Sequence, residues 1–394
     1  MPIIPLTCPN CGGNLKVDSY KDAAICEYCG KPFIVKDAII NNYIKNETII
    51  NTDSFTAENI NVYSEKEFEI KAGELLKYNG ESDNVVIPDA VKSIGKRAFS
   101  KMSIVSVTIP NSVKSIQSGA FEGCTSLTDI NMSEGMELIG ESAFENCSSL
   151  TSIVLPNSVS EIGASAFANC SSLTSIVLPD SVSWIGPSAF KNCSSLTSIV
   201  LPDSVSVIGH SAFEYCSSLT SIVLPDSVSE IDANVFKRCS SLTSIVLPDS
   251  VSKIGPSAFE YCSSLTSIVL PNSVSEIGAE VLVGYIPSRI SGRTFLGCSS
   301  LTSIVLPNSI TSIKSSTFED CSSLTSIVLP DSVSMIRDSA FKNCSSLTSI
   351  VIPISVSYIA DNAFDNCSSL TNQTRLMILA LKRKSKLKIP QFMN

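Results

Sequence analysis

Apolar and polar positions follow one strict repeat along most of this chain. In Leu150-Thr-Ser-Ile-Val-Leu-Pro156, Ile and Leu alternate with Ser and Val, which predicts a short strand with one buried face. Pro156 ends that strand, and Val159-Ser-Glu-Ile162 predicts a second extended segment after a turn. Gly163 begins a bend into Ala166-Phe167, where we expect a helical turn. Each unit is therefore expected to fold back once.

The unit recurs every 23 residues, and two of its positions show the period. The cysteine position is occupied by Cys124, Cys147, Cys170, Cys193, Cys216, Cys239 and Cys262 and, after one longer interval, by Cys298, Cys321, Cys344 and Cys367. The aromatic position counts twelve units: Phe99, Phe121, Phe144, Phe167, Phe190, Phe213, Phe236, Phe259, Phe295, Phe318, Phe341 and Phe364. Because so short a unit cannot bury its own apolar side chains, the units must stack around one continuous core. The repeat predicts a mainly β solenoid of about twelve coils over residues 81–371.

The consensus Leu-x-x-Ile-x-Leu-Pro-x-x-Val-x-x-Ile-Gly-x-x-Ala-Phe-x-x-Cys resembles the BspA-like class of leucine-rich repeats. The agreement extends over residues 81–371 and over many positions of the unit. The resemblance implies the solenoid fold. Since proteins with such repeats are commonly surface adhesins or interaction scaffolds, it also implies two alternative functions.

Two C-x2-C motifs near the start of the chain predict a metal site. Cys8 and Cys11 are separated by 14 residues from Cys26 and Cys29, and each pair is followed by glycine. Four thiolates at this spacing suit one tetrahedral zinc ion, and a closed four-sulfur shell makes the ion structural. Residues 1–38 resemble a small zinc ribbon, which implies docking of a protein, plain stability or association with nucleic acid. Rubredoxin-like iron and a redox pair without metal are the alternative interpretations.

The segments that flank the repeat have separate predicted roles. Residues 39–80 are interpreted as a linker followed by a hairpin over Glu67–Gly80, which would cap the first coil. In the basic segment 372–394, an apolar run precedes a basic run. That segment is interpreted as a capping helix, as a contact to an anionic membrane surface, or as a tail directed to a partner.

Charge and cysteine usage restrict the class of function. The net charge is −9, and the last twenty residues carry six basic and no acidic side chains, which leaves −15 on the rest. An acidic body disfavours nucleic acid and favours a basic protein partner. Near identity among the central coils indicates, as the alternative, a partner that is itself repetitive. The start of the chain shows no signal peptide pattern. Four cysteines have metal spacing and eleven occur once per repeat, and both usages fit a reducing compartment. We therefore expect a cytoplasmic protein, with the cell surface as the alternative.

The sequence contains no clear set of catalytic residues. His210 is the single histidine, and it has no partner set for a Ser-His-Asp or Cys-His mechanism. The repeat cysteines are interpreted as buried small hydrophobic side chains. The sequence therefore predicts neither an enzyme nor a small-molecule substrate.

Three features of the repeat are candidate contacts for a protein partner. The first is a row of outward valines on the strand: Val154, Val177, Val200, Val223, Val246, Val269, Val305, Val328 and Val351. The second is the variable position before the second Ile, occupied by Trp184, Val207, Lys253, Met335 and Tyr358. The third is the irregular segment 279–297, where Leu282 and Tyr285 fall at the aromatic and cysteine positions and a shortened unit follows. We expect a kink or a protruding loop there, carrying Tyr285, Arg289 and Arg293. Together these features predict a noncatalytic scaffold for protein interactions.

Overall fold

This computed structural model describes the backbone and side chains of residues 67–132, 134–279 and 291–383; outside these ranges it describes only the backbone of strands and of one helix end. From residue 81 to residue 371 the chain winds into a solenoid of twelve coils, as predicted. Each coil contributes one strand to a first sheet and one shorter strand to a second sheet. Turns that carry the Phe and Cys positions form the third side.

The first sheet contains the strands that the Leu-x-x-Ile-x-Leu-Pro pattern predicts. They pair in parallel, with Val177 opposite Val200 and Ile222 opposite Ile245. Ile and Leu point into the core, while the Val between them is exposed. The strands are β9 Asn84–Val86, β11 Ser106–Ile109, β13 Asp129–Met132, β15 Ser152–Val154, β17 Ser175–Val177, β19 Ser198–Val200, β21 Ser221–Val223, β23 Ser244–Val246, β25 Ser267–Val269, β29 Ser303–Val305, β31 Ser326–Val328 and β33 Ser349–Val351.

The second sheet is built from two-residue strands that end on a buried isoleucine. The segment Val159–Ile162 is extended only at Glu161 and Ile162, so the strand is shorter than predicted. The strands are β10 Ser93–Ile94, β12 Ser115–Ile116, β14 Leu138–Ile139, β16 Glu161–Ile162, β18 Trp184–Ile185, β20 Val207–Ile208, β22 Glu230–Ile231, β24 Lys253–Ile254, β26 Glu276–Ile277, β30 Ser312–Ile313, β32 Met335–Ile336 and β34 Tyr358–Ile359.

The core is a set of side-chain columns that run along the solenoid. Phenylalanine rings stack on one another, and the rings of Phe167 and Phe190 are 5.5 Å apart between centroids and almost parallel. The repeat cysteines are buried and free, and each thiol donates to the Phe carbonyl of the preceding coil, as Cys170 does to Phe144 at 3.2 Å. Because neighbouring coils supply these contacts, no coil is a folding unit by itself.

Hydroxyl side chains join the coils on the outside of the core. Thr174 Oγ1 donates to the Thr151 carbonyl at 3.1 Å, and Ser204 Oγ donates to the Val182 carbonyl at 2.6 Å. The same bonds recur along the stack. Ser and Thr can therefore fill most exposed positions of the unit, which accounts for the low share of charged residues.

An antiparallel hairpin covers the N-terminal end of the solenoid. Strand β7 (Phe68–Lys71) pairs with β8 (Glu74–Tyr78), and β8 pairs in parallel with β10 of the first coil. Tyr78 is buried against Phe68 and Phe99, so the aromatic column continues into the hairpin. Before it, the described backbone forms antiparallel pairs of β1 Ile3–Thr7 with β2 Asn14–Asp18, β3 Ala23–Ile25 with β4 Pro32–Ile34, and β5 Thr48–Ile50 with β6 Val62–Ser64.

The irregular segment is an insertion within one coil. Strands β27 (Val281–Leu282) and β28 (Arg289–Ile290) pair antiparallel, and the Gly292 amide donates to the Gly278 carbonyl at 2.8 Å. The coil that β26 begins is completed by Phe295, whose ring stacks on Phe259. The placement of Leu282 at the aromatic position and of Tyr285 at the cysteine position was therefore wrong. The first sheet continues from β25 to β29 in register across the insertion. The predicted kink or protruding loop falls largely on residues 280–290, most of which lie outside the described residues, and it stays a prediction.

A helix covers the other end of the solenoid. Helix α1 (Asn372–Leu387) begins directly after the last coil, and Ile378 is buried against the core. Arg375 donates to the carbonyls of Leu370 and Ser368. Of the three interpretations of this segment, the capping helix is therefore the one that fits residues 372–383.

Candidate functional site

The exposed surface of the first sheet carries nine valines in register, at the positions that the sequence predicts. We call this surface the valine face; it comprises Val154, Val177, Val200, Val223, Val246, Val269, Val305, Val328 and Val351. Their exposed fractions range from 57% for Val351 to 79% for Val200. The ladder begins after Asn131, which occupies the same position of the preceding strand. The result is one continuous apolar stripe along nine coils.

The positions that flank the valines carry no charge over these nine coils. Each valine is preceded by an exposed Ser two residues before it and an exposed Thr three residues before it, as Ser175 and Thr174 precede Val177. Farther out, the two edges of the valine face differ. One edge carries exposed aspartates: Asp180, Asp203, Asp226, Asp249 and Asp331. The other edge is a row of neutral serines that includes Ser194, Ser217 and Ser240.

The variable position places Trp184 on the second sheet. Trp184 is half-buried between Glu161 and Val207, which lie opposite it in the neighbouring strands. Farther along, Glu230 and Lys253 form an exposed ion pair at 3.1 Å. The second sheet therefore presents side chains that vary along the solenoid, whereas the valine face presents the same one in nine coils.

Of the three predicted contacts of the insertion, the structure describes only Arg293 in full. Tyr285 lies outside the described residues, and for Arg289 only the backbone in β28 is described. Arg293 is exposed but belongs to the regular coil, because its amide donates to the Ser315 carbonyl of the next coil at 2.9 Å. Its predicted place in the loop was therefore wrong.

The structure describes one of the two classes of cysteine, the repeat cysteines. Cys8, Cys11, Cys26 and Cys29 lie outside the described residues. The repeat thiols are enclosed in the core, and burial raises the pKa of Cys216 to about 12. Among the described residues no three histidine, cysteine, aspartate or glutamate side chains are grouped to hold a metal ion. The repeat cysteines therefore act as core side chains, as predicted.

Three side chains on the third side form a stack that was not predicted from the sequence. The guanidinium of Arg238 lies over the ring of Tyr215 at 5.3 Å and over that of Tyr261 at 4.7 Å. All three residues have a positive φ, at a position where Asn146, Asn169 and Asn192 also adopt the left-handed conformation that Asn tolerates. Their 23-residue spacing was the available signal.

In the described part of the chain, no helix combines the length and the apolar character that crossing a membrane requires.

Comparison with known proteins agrees with the repeat geometry. The BspA type leucine rich repeat region (6 copies) matches residues 74–197, 183–285 and 288–376. No curated protein shows significant sequence similarity to the chain.

Solved structures of bacterial repeat proteins are similar to this chain. A leucine-rich repeat protein from Bacteroides ovatus has 29% identity and a TM-score of 0.56, with 82% of this chain and 92% of that chain covered. The pneumococcal vaccine antigen PcpA has 21% identity and a TM-score of 0.54, with coverage of 80% and 86%. A leucine rich cell surface protein from Faecalibacterium prausnitzii has 27% identity and a TM-score of 0.49, with coverage of 78% and 93%. With its twelve stacked coils and the repeat matches over most of its length, the chain belongs to the BspA-type leucine-rich repeat family.

Proposed function

We propose that this protein is a noncatalytic scaffold that binds a protein partner through the valine face. The observation that carries the proposal is the register of nine valines that are each more than half exposed. Monomeric proteins rarely expose a contiguous apolar patch of this length, and such patches mark interaction sites. Membership in a repeat family whose members mediate protein interactions supports the same function.

Quantitative affinity purification from the source cells tests the proposal. The variant Val200→Ser, Val223→Ser, Val246→Ser makes the centre of the valine face polar, and we expect it to lose the partner that the wild-type chain retains. The control is Val207→Ser, because Val207 lies on the second sheet of a central coil. Equal recovery of every partner by the wild type and the triple variant would contradict the proposal.

We further propose that the N-terminal segment binds one structural zinc ion through Cys8, Cys11, Cys26 and Cys29. The chain places one C-x2-C motif between β1 and β2 and the other between β3 and β4, each an antiparallel pair that would present two thiolates at a turn. Elemental analysis of the purified protein should give one zinc per chain. The variant Cys8→Ser, Cys26→Ser should lose the zinc, whereas Cys124→Ser should retain it. Iron in place of zinc, or no metal in the wild type, would contradict the site.

The cytoplasmic location stays a prediction. Protease treatment of intact source cells tests it, because a cytoplasmic chain is protected until the cells are opened. Cleavage on intact cells would contradict the cytoplasmic location and favour a surface adhesin that uses the same valine face.

A further inference from the structure

We infer that the partner on the valine face is a second copy of this chain. The two solenoids pack face to face and run parallel. This assignment rests on the proposed function of that face. The first reason is the repeat itself. Each coil offers the same Thr, Ser and Val, one strand spacing (about 4.8 Å) from the next. A partner fills all nine positions equally well only if it repeats at the same spacing, and a second copy does so by construction.

The area of the valine face is sufficient for a stable dimer. Nine strands at a spacing of about 4.8 Å give a length of about 43 Å. Six residue steps, from the Thr position to the Asp position, give a width of about 20 Å. The face therefore covers roughly 860 Å² in each copy, close to the share of about 800 Å² that one partner contributes to an interface of standard size.

The chemistry of the face also permits its burial. In the eight coils from Thr174 to Thr348, the Thr hydroxyls beside the valines already donate to carbonyls of the same chain, as Thr220 does to Thr197 and Thr243 does to Thr220. Burying them leaves no donor without an acceptor, so they add little desolvation cost. No charged side chain occupies the Thr, Ser or Val positions of these nine coils.

The two edges of the face determine how the copies are oriented. A two-fold axis can relate the two copies in two ways. If the axis lies along the strands, the solenoids run antiparallel and the two aspartate rows meet at the same edge. With the axis along the solenoid, the copies run parallel, and the aspartate row of each copy lies over the serine row of the other. The backbones of packed sheets are about 10 Å apart, and side chains project into that gap from both copies. Opposed aspartate carboxylates would therefore lie within the Debye length of about 8 Å at physiological salt and repel one another. Charge therefore favours the parallel pair, in which each coil faces the same coil of its partner.

Sedimentation of the full chain tests self-association. The wild type should sediment at twice the mass of one chain at micromolar concentration. The variant V154K/V177K/V200K should be monomeric, because three lysines of each copy would face three lysines of the other. The control V207K changes a valine of the second sheet and should remain dimeric. Circular dichroism and urea unfolding of each variant separate loss of the dimer from loss of the fold.

Mixing experiments test the orientation. In the parallel pair, V154K/V177K/V200K should form a dimer with V154E/V177E/V200E, because the opposite charges then face each other. It should not do so with V305E/V328E/V351E, because in the parallel pair those lysines and glutamates would each be buried against valines without an opposite charge, whereas only an antiparallel pair would bring them together. Rescue by that C-terminal variant would overturn the parallel arrangement. A monomeric wild type that loses a different partner on the central serine substitutions would overturn self-association while leaving the proposed function intact.

Discussion

Replacement of one phenylalanine in the middle of the aromatic column should destabilise the whole solenoid. Phe190 is fully buried, and its ring stacks on Phe167 and Phe213, with both centroids at 5.5 Å. A buried Phe replaced by Ala costs about 3–5 kcal/mol, and each stacked pair accounts for about 0.5–1.5 kcal/mol beyond burial. Because Phe190→Ala removes two such pairs, we expect a loss near the top of that range, about 4–5 kcal/mol.

The last ring of the column provides an internal comparison. Phe364 is 8% exposed and stacks on Phe341 at the end of the column. Phe364→Ala therefore removes one stacked pair, and its cost should be about 1 kcal/mol lower than that of Phe190→Ala. An interface broken in the centre also separates the coils on its two sides, so Phe190→Ala should broaden or divide the unfolding transition.

Equilibrium unfolding in urea, followed by circular dichroism, measures both effects. Asp203→Asn is the control, since Asp203 is exposed, and it should change the free energy of unfolding by no more than about 0.5 kcal/mol. A loss below about 2 kcal/mol for Phe190→Ala, or an equal loss for both phenylalanines, would refute the stacked column as the main source of coupling between coils.

Two further predictions concern the buried thiols and the C-terminal helix. Burial raises the pKa of Cys216 from 9.0 to about 12, so the thiol ionises in the unfolded chain first. The contribution of such a thiol to the free energy of unfolding should therefore be constant below about pH 9 and fall above it by about 1.4 kcal/mol per pH unit. Urea unfolding between pH 8 and 10.5 measures this fall. An unchanged free energy of unfolding would contradict the burial of the thiols. Ile378→Asp puts a charge into the contact between α1 and the last coil, and we expect faster hydrogen exchange in β34 with β19 unchanged. Leu376→Asp, at an exposed position of the same helix, is the matched control, and equal exchange in both variants would show that α1 is not a cap.

The periodic part of the fold could be predicted from the sequence in some detail. Each position of the unit has the same surroundings in every coil. The burial of Ile153 and the exposure of Val154 therefore apply to the corresponding residues of the other coils. The number of coils, the core columns and the exposure of the valines follow from that one pattern. The capping helix remained one of three interpretations because its packing depends on contacts with the last coil.

The point at which the regular coil resumes after the insertion could not be predicted, because periodicity places residues by counting. A count of 23 from Phe259 ends on Leu282, whereas the coil is closed by a hydrogen bond between Gly278 and Gly292 and continues to Phe295. The pairing of β27 with β28 brings those two glycines together. That closure depends on three-dimensional contacts that a repeat count does not contain.

Hydroxyl-radical footprinting in a native extract of the source cells tests the central claim, that the valine face is covered by a partner. Val200 and Val207 belong to one coil and share the same side chain, but in the isolated chain Val200 is 79% exposed and Val207 is 48% exposed. If a partner covers the valine face, Val200 should be oxidised more slowly than Val207. Faster oxidation of Val200, as the isolated chain requires, would contradict the account.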